Sequence, residues 1–318
     1  MNWMSTLSKK TCAAFYKHTN IRSGNRVFPC CRFKTPVLTF DGNLSKILTS
    51  DVYEELRNTD VNDIPGCAKC IHEENTGKDE SMREWFNRTY TTESVQLEYL
   101  EIGFDNICNA ACDGCWSEFS HTWSKINNPD ALPNTHIISS DELTEDIPSS
   151  VNKILFLGGE PLMTNRHRRL LETCADLSNM SVTYNTNGTF LLDDQTINLL
   201  NQCKEVEFIL SVDGYGELNE KVRKNCHWHL IEKFINQIQN SDYKLLIHTV
   251  IHRNNWHGLK DLEQYITKNN FRWRPWILTY PPHLDIANAD NKEEIYKFIQ
   301  ETNIPNKEHT LKHIKEAT

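Results

Sequence analysis

The sequence predicts an α/β protein in which parallel strands alternate with helices, preceded by a small cysteine-rich segment suited to binding metal. Three observations carry this reading. Six apolar runs of strand character recur between residues 95 and 279, with stretches of helical periodicity between them. Residues 11–92 lack regular pattern and are rich in Cys, Gly, Pro and charge. At the junction, Cys108, Cys112 and Cys115 follow directly on the first apolar run.

A chain of 318 residues has ample material for a core in one large domain or two. Residues 1–10 are polar and offer no apolar export signal, and no apolar run approaches the length of a membrane span. Eleven cysteines grouped as C-x2-C and C-x3-C-x2-C, without export, read as metal ligands rather than a disulfide framework. The expectation is a soluble, cytoplasmic metalloprotein. A formal net charge of −9, with no basic stripe, argues against a nucleic-acid partner.

The N-terminal segment holds Cys12, the adjacent Cys30 and Cys31, and Gly66-Cys67-Ala68-Lys69-Cys70. Gly24 and Gly42 mark turns, Arg26-Val27-Phe28 is strand-like, and a short helix is expected over Asp51–Asn58. Units of this size fold around metal because their apolar core is inadequate. Cys12, Cys30, Cys67 and Cys70 could hold zinc as a knuckle, or an iron–sulfur cluster, with Cys31 as the alternative to Cys30.

The Cys108/Cys112/Cys115 triad differs in having no fourth ligand close behind it. Structural zinc and electron-transfer clusters take four protein ligands. Three thiolates on a short loop leave one iron open to something that is not protein.

The apolar runs are 95–104, 151–157, 181–185, 206–212, 243–251 and 271–279, separated by helical stretches such as 168–177 and 230–238. Strand–helix alternation argues for parallel β/α units, six of them, fewer than a complete eight-fold barrel. In β/α barrels ligands sit at the carboxyl ends of strands. The second run ends in Gly158-Gly159-Glu160-Pro161, where a backbone without Cβ atoms can approach a ligand, or simply turn tightly into a helix. The third ends in Asn185-Thr186-Asn187-Gly188, the fourth in Ser211-Val212-Asp213-Gly214, with Arg223 further on. The fifth ends in His252-Arg253-Asn254-Asn255, and either asparagine could serve the site. The sixth interleaves Arg272 and Arg274 with Trp273 and Trp276, a pattern that can stack on a substrate or lie half in the core. Cys174, Cys203 and Cys226 lack ligand spacing and read as small core residues. Helices after Asn291 form a C-terminal cap.

The CX3CX2C triad at a strand end, followed in order by GGE, TNG and SxDG, resembles the radical SAM enzymes. The resemblance covers residues 12–280 and implies an open (β/α)6 partial TIM barrel. It implies that Cys108, Cys112 and Cys115 hold a [4Fe–4S] cluster whose open iron chelates S-adenosylmethionine (SAM). Gly158, Gly159, Glu160 and Asn187 would line the SAM methionine, Ser211 and Asp213 the ribose and methionine, and Arg223 the carboxylate. The family usually has an aromatic residue before the third cysteine; here that position is Gly114, and Trp116 on the other side of Cys115 is the candidate for adenine contact.

The N-terminal segment is similar to a twitch domain, the short form of SPASM, through Cys12, Gly24, Cys30 (or Cys31), Cys67, Cys70 and a connector with Glu73, Glu74, Gly77, Ser81 and Arg83. It stands before the barrel, whereas the family more often places it after. The resemblance implies a second, auxiliary iron–sulfur cluster. The organisation expected is 1–92 auxiliary segment, 93–285 barrel and 286–318 cap. The family's reaction is reductive cleavage of SAM to a 5′-deoxyadenosyl radical that takes hydrogen from a substrate, here a peptide or protein side chain, with a nucleotide or small metabolite as the alternative. A flavodoxin or ferredoxin would supply the electron. The rival from another class is a non-catalytic zinc scaffold, with a residue such as His121 completing the triad.

Overall fold

A computed structural model describes residues 10–75, 80–133 and 147–316; Gly77 lies outside the described residues. Among the described residues eleven strands occur in chain order: β1 (His18–Arg22), β2 (Arg26–Phe28), β3 (Leu38–Thr39), β4 (Tyr99–Gly103), β5 (Ala111–Cys112), β6 (Lys153–Leu157), β7 (Ser181–Thr186), β8 (Glu205–Ser211), β9 (Arg223–Lys224), β10 (Lys244–Ile251) and β11 (Arg272–Ile277). The six predicted runs become β4, β6, β7, β8, β10 and β11. They lie side by side in that order, every neighbouring pair parallel. The protein is thus an α/β fold on a mostly parallel central sheet.

Period-two alternation sorts the strands' side chains onto two faces. Leu100, Ile102, Ile154, Phe156, Val182, Tyr184, Phe208 and Leu210 lie in one packed core beneath the helices. Helix Trp228–Gln239 brings Ile231, Phe234, Ile235 and Ile238 onto it, the 3.6-residue spacing that the sequence shows. The opposite face carries Tyr99, Glu101 and Gly103 of β4 and Arg272, Arg274 and Trp276 of β11. The predicted helix appears at Asp51–Asn58, and the C-terminal helices Lys292–Gln300 and Lys307–Glu316 pack a separate apolar cluster onto Ile251 and Ile277.

The N-terminal segment is joined to this sheet. β1 pairs in parallel with β4, and β2 and β3 extend the sheet antiparallel, nine strands in all. No apolar run announces β1, because alternate residues are polar: His18, Asn20 and Arg22. On the inner face Asn20 donates to Glu101 at 2.5 Å, and His18 lies 3.4 Å from Glu101 through Nε2 and 2.9 Å from the Pro29 carbonyl through Nδ1. Buried groups of this kind must be partnered, and the pairing ties β1 to β4 in one register. The segment also reaches the far edge of the sheet. Trp276 of β11 has the Arg32 guanidinium 5.8 Å and the Lys69 ammonium 5.6 Å from its ring centroid, so the sheet curls until its two sides meet through this segment.

Candidate active site

The triad sits on the connection leaving β4. Its backbone is pressed against the end of β6: Gly159 donates to the Asp105 carbonyl at 3.0 Å and Glu160 to that of Ile107 at 2.7 Å. Gly158 has φ +124°, and a Cβ on Gly159 would stand 2.1 Å from the Ile107 oxygen. The glycine pair is therefore required first by the approach of two backbones of this chain, which the sequence assigned to a ligand. Past Cys108 the loop forms β5, which pairs antiparallel with β9 and sets Cys112 opposite Arg223.

Glu160, 2% exposed, ties the third strand end to the second. Its carboxylate accepts from Thr186 Oγ1 and Asn187 N, each at 2.7 Å, and from Leu162 N at 3.2 Å. Burial raises its carboxyl above the ordinary range, and these bonds act against the rise. Asn187 in turn donates to Asn109, inside the triad, at 2.9 Å. Asp213 accepts from Val250 N and holds Arg223, both at 2.7 Å. Arg223 Nε is buried without a hydrogen-bond partner. Ser211 faces the same interior, opposite His248 of β10. Trp116 is 40% exposed at the rim, edge-on to Phe119 and Tyr280. Gly114 leaves room that Leu278 fills.

All three triad thiols are half-buried. Burial pushes Cys108 up to about 12 and Cys115 to about 11. Cys112 is lowered instead, first by a hydrogen bond with Cys226 and then by the Arg223 charge, against desolvation. Cys226 is a fully buried core residue as the sequence suggests, yet its thiol lies on the triad, a contact that spacing along the chain does not reveal. Bound metal would hold such thiols deprotonated.

The fifth strand end separates its two asparagines. Asn255 is fully buried and bonds the backbone of Asp213, Val250 and His252, whereas Asn254 donates to Asp113 of the triad loop at 2.7 Å. In the sixth strand, Trp273 donates to Thr249 at 2.9 Å and Arg272 pairs with Glu207 at 2.9 Å, while Trp276 stays exposed. His121, named as a fourth zinc ligand, has Nε2 2.8 Å from the Ala131 carbonyl.

In the N-terminal segment Cys12, Cys30 and Cys67 share one packed cluster, and all are buried, as is Cys70. Cys31 is exposed, and among charged neighbours it feels Glu101, Arg32 and Arg22 most. The connector residues converge: Glu74 pairs with Arg83 and accepts from Ser81 at 2.7 Å, Ser81 and Glu84 form a capping box, and Arg32 pairs with Glu73. Among the described residues no three His, Cys, Asp or Glu side chains converge as ligands of a single metal ion would. Thiolates of a four-iron cube each take a different iron and stand further apart. The buried four-cysteine group, and the triad with its one partnerless Arg223 nitrogen nearby, suit such clusters in ligand type and number.

Fold and site together define an enzyme with its working groups gathered at one end of a singly wound parallel sheet. The family model of the radical SAM superfamily matches residues 103–266, just over half of the chain, and the protein belongs to that superfamily. The family implies a [4Fe–4S] cluster and SAM. No curated protein matches. Among solved structures, anSMEcpe with bound AdoMet is similar at 19% identity and TM-score 0.49, over 64% of this chain and 59% of that one. SuiB from Streptococcus suis bound to S-adenosylmethionine is similar at 15% identity and TM-score 0.45, over 79% of this chain and 53% of that one. This chain thus spans less than two thirds of the length of either. No helix among the described residues is long and apolar enough to cross a membrane.

Proposed function

We propose that the chain, folded as a (β/α)6 partial barrel, cleaves SAM reductively on a [4Fe–4S] cluster held by Cys108, Cys112 and Cys115, and that a peptide or protein side chain is its substrate. One observation carries the reading: the triad loop is bonded directly to the Gly158–Glu160, Asn187 and Arg223 stretches, and Arg223 is paired with Asp213, so all four motifs of the resemblance form one site. When bound, the cluster supplies the single electron that breaks the C5′–S bond of SAM and frees a 5′-deoxyadenosyl radical.

The residues of this chain bind and orient. Arg223, fixed by Asp213, offers a planar guanidinium to the SAM carboxylate. Glu160 and Asn187 hold two strand ends at fixed separation where they would line the SAM methionine. Ser211 stands on the ribose side, and Trp116 offers an exposed ring face to adenine. Exposed Trp276 and Tyr280 favour a peptide or protein side chain, since aromatic side chains dominate such contacts. Cys12, Cys30, Cys67 and Cys70 would close a second cluster with four thiolates, suited to electron transfer and not to SAM chemistry. In this reading residues 1–92 carry the auxiliary cluster, 93–285 the barrel and 286–318 the cap.

Anaerobic reconstitution with iron and sulfide, followed by a SAM assay with a strong reductant, tests the proposal. A brown protein releasing 5′-deoxyadenosine is expected. A colourless protein that binds zinc and leaves SAM intact would favour the scaffold reading.

A further inference from the structure

The backbone of the triad loop is held along both edges. The odd-numbered carbonyls face the strand ends: Asp105 accepts from Gly159 N at 3.0 Å, Ile107 from Glu160 N at 2.7 Å and Asn109 from Asn225 Nδ2 at 2.9 Å. The even-numbered carbonyls from Asn106 to Cys112 face one four-residue stretch at the start of helix His121–Asn127. Asn106 accepts from His121 N at 2.7 Å, Cys108 from Thr122 Oγ1 at 2.6 Å, Ala110 from Ser120 Oγ at 2.5 Å and Cys112 from Trp123 Nε1 at 2.9 Å. Every carbonyl from Asp105 to Asn109, and those of Ala110 and Cys112, thus has a partner, although this is a loop and not a sheet interior.

The helix is built to deliver these donors. Ser120 is its N-cap and accepts from Trp123 N while donating to Ala110. Asn106 fixes the other end of the connection by donating to the Ser117 carbonyl at 2.9 Å. Two of the four bonds reach carbonyls of cysteines whose thiols stand on the site, so their geometry is passed to the sulfurs through one residue of backbone. Outer partners of this kind orient metal ligands and tune the metal they hold.

We propose that Ser120, Thr122 and Trp123 are positioning residues for the cluster: they lock the triad backbone in its ligating form before iron arrives and retain that form when SAM binds. The inference rests on the triad reading above. It predicts that the loop needs little rearrangement on loading, and that loosening one carbonyl changes how the cluster is held without unfolding the sheet.

Thr122→Val deletes one donor at nearly constant volume and Trp123→Phe deletes another together with one ring of the indole, so either can serve if the other fails to fold. The full chain is reconstituted anaerobically beside the Cys108/Cys112/Cys115→Ala variant, which marks the iron that belongs to the triad. Triad iron should pass to a chelator about tenfold faster in each donor variant. The electron paramagnetic resonance signal of the reduced cluster, and its change on adding SAM, should broaden or shift, while the cluster-free proteins melt together with the parent. Iron release and spectra equal to the parent's would overturn the proposal. So would a lowered melting temperature with unaltered spectra, which is the signature of a helix cap that serves only the fold. If total iron did not fall in the triad variant, the triad reading would fail and this inference with it.

Discussion

Arg223 donates to Asp213 at 2.7 Å, and the strand that carries it is paired with Cys112. Fourth strand end and triad loop are therefore linked by one buried ion pair. Removing one partner of such a pair leaves an uncompensated buried charge, at a cost of about 3 kcal/mol or more. Asp213→Ala should lower the melting temperature and weaken SAM binding together, whereas sequence alone suggests only the second. Calorimetry and SAM titration of the same preparation check this; normal melting and normal SAM affinity would show that Arg223 is held by something else.

Gly159→Ala is expected to disturb the triad itself. A methyl there meets the Ile107 oxygen at 2.1 Å, and backbone cannot yield as a side-chain end can. The penalty should exceed the 1–3 kcal/mol or so of ordinary overpacking, and iron at the triad should fall with it. Sequence reasoning places Gly159 only against the SAM methionine, because it sees the glycine but not the triad-loop backbone it faces. Metal analysis of soluble Gly159→Ala protein decides between the two.

Much of the fold is legible in the sequence because the parallel strands are apolar on the core face and the helices between them keep strict periodicity. Their limits shift only by a few residues, as in β4, which begins at Tyr99 although the apolar run begins at 95. The triad and the motifs after each strand are legible because cysteine spacing and Gly-containing turns are local. What is not legible depends on partners far away in the chain. β1 hides because its inner face is polar and pairs with Glu101. Cys226 gives no sign of its contact with Cys112. The one available signal for the loop's outer support was local: Ser120 stands as an N-cap five residues past Cys115.

The two N-terminal neighbours Cys30 and Cys31 should behave differently. Cys30 is buried among Cys12 and Cys67, and Cys31 is exposed. Cys30→Ala, like Cys67→Ala with Cys70→Ala, should lower iron from about eight to about four per chain, counting two four-iron cubes. Cys31→Ala should leave iron near eight. Zinc lost in place of iron would establish a knuckle.

Stability should fall in mild acid through His167. This ring is 4% exposed, its Nδ1 lies 2.9 Å from the Tyr184 hydroxyl, and burial lowers its pKa from 6.5 to about 4. The folded state keeps it neutral while the unfolded chain takes up a proton below pH 6.5. Its contribution is therefore full above that pH and is lost as pH falls toward 4, about 3 kcal/mol at most. Thermal melts from pH 7 to 4 should show a shallower decline in His167→Gln than in the parent. Equal slopes would assign the acid sensitivity to other groups.

The most direct test of the central claim is 5′-deoxyadenosine release by the Cys108/Cys112/Cys115→Ala variant, reconstituted anaerobically and given SAM and a strong reductant. The account predicts no product and about four fewer iron atoms per chain than the parent, with the N-terminal cysteines still loaded. Product formed at the parent's rate would contradict it, because SAM would then be cleaved without the only three thiols assigned to bind the open iron.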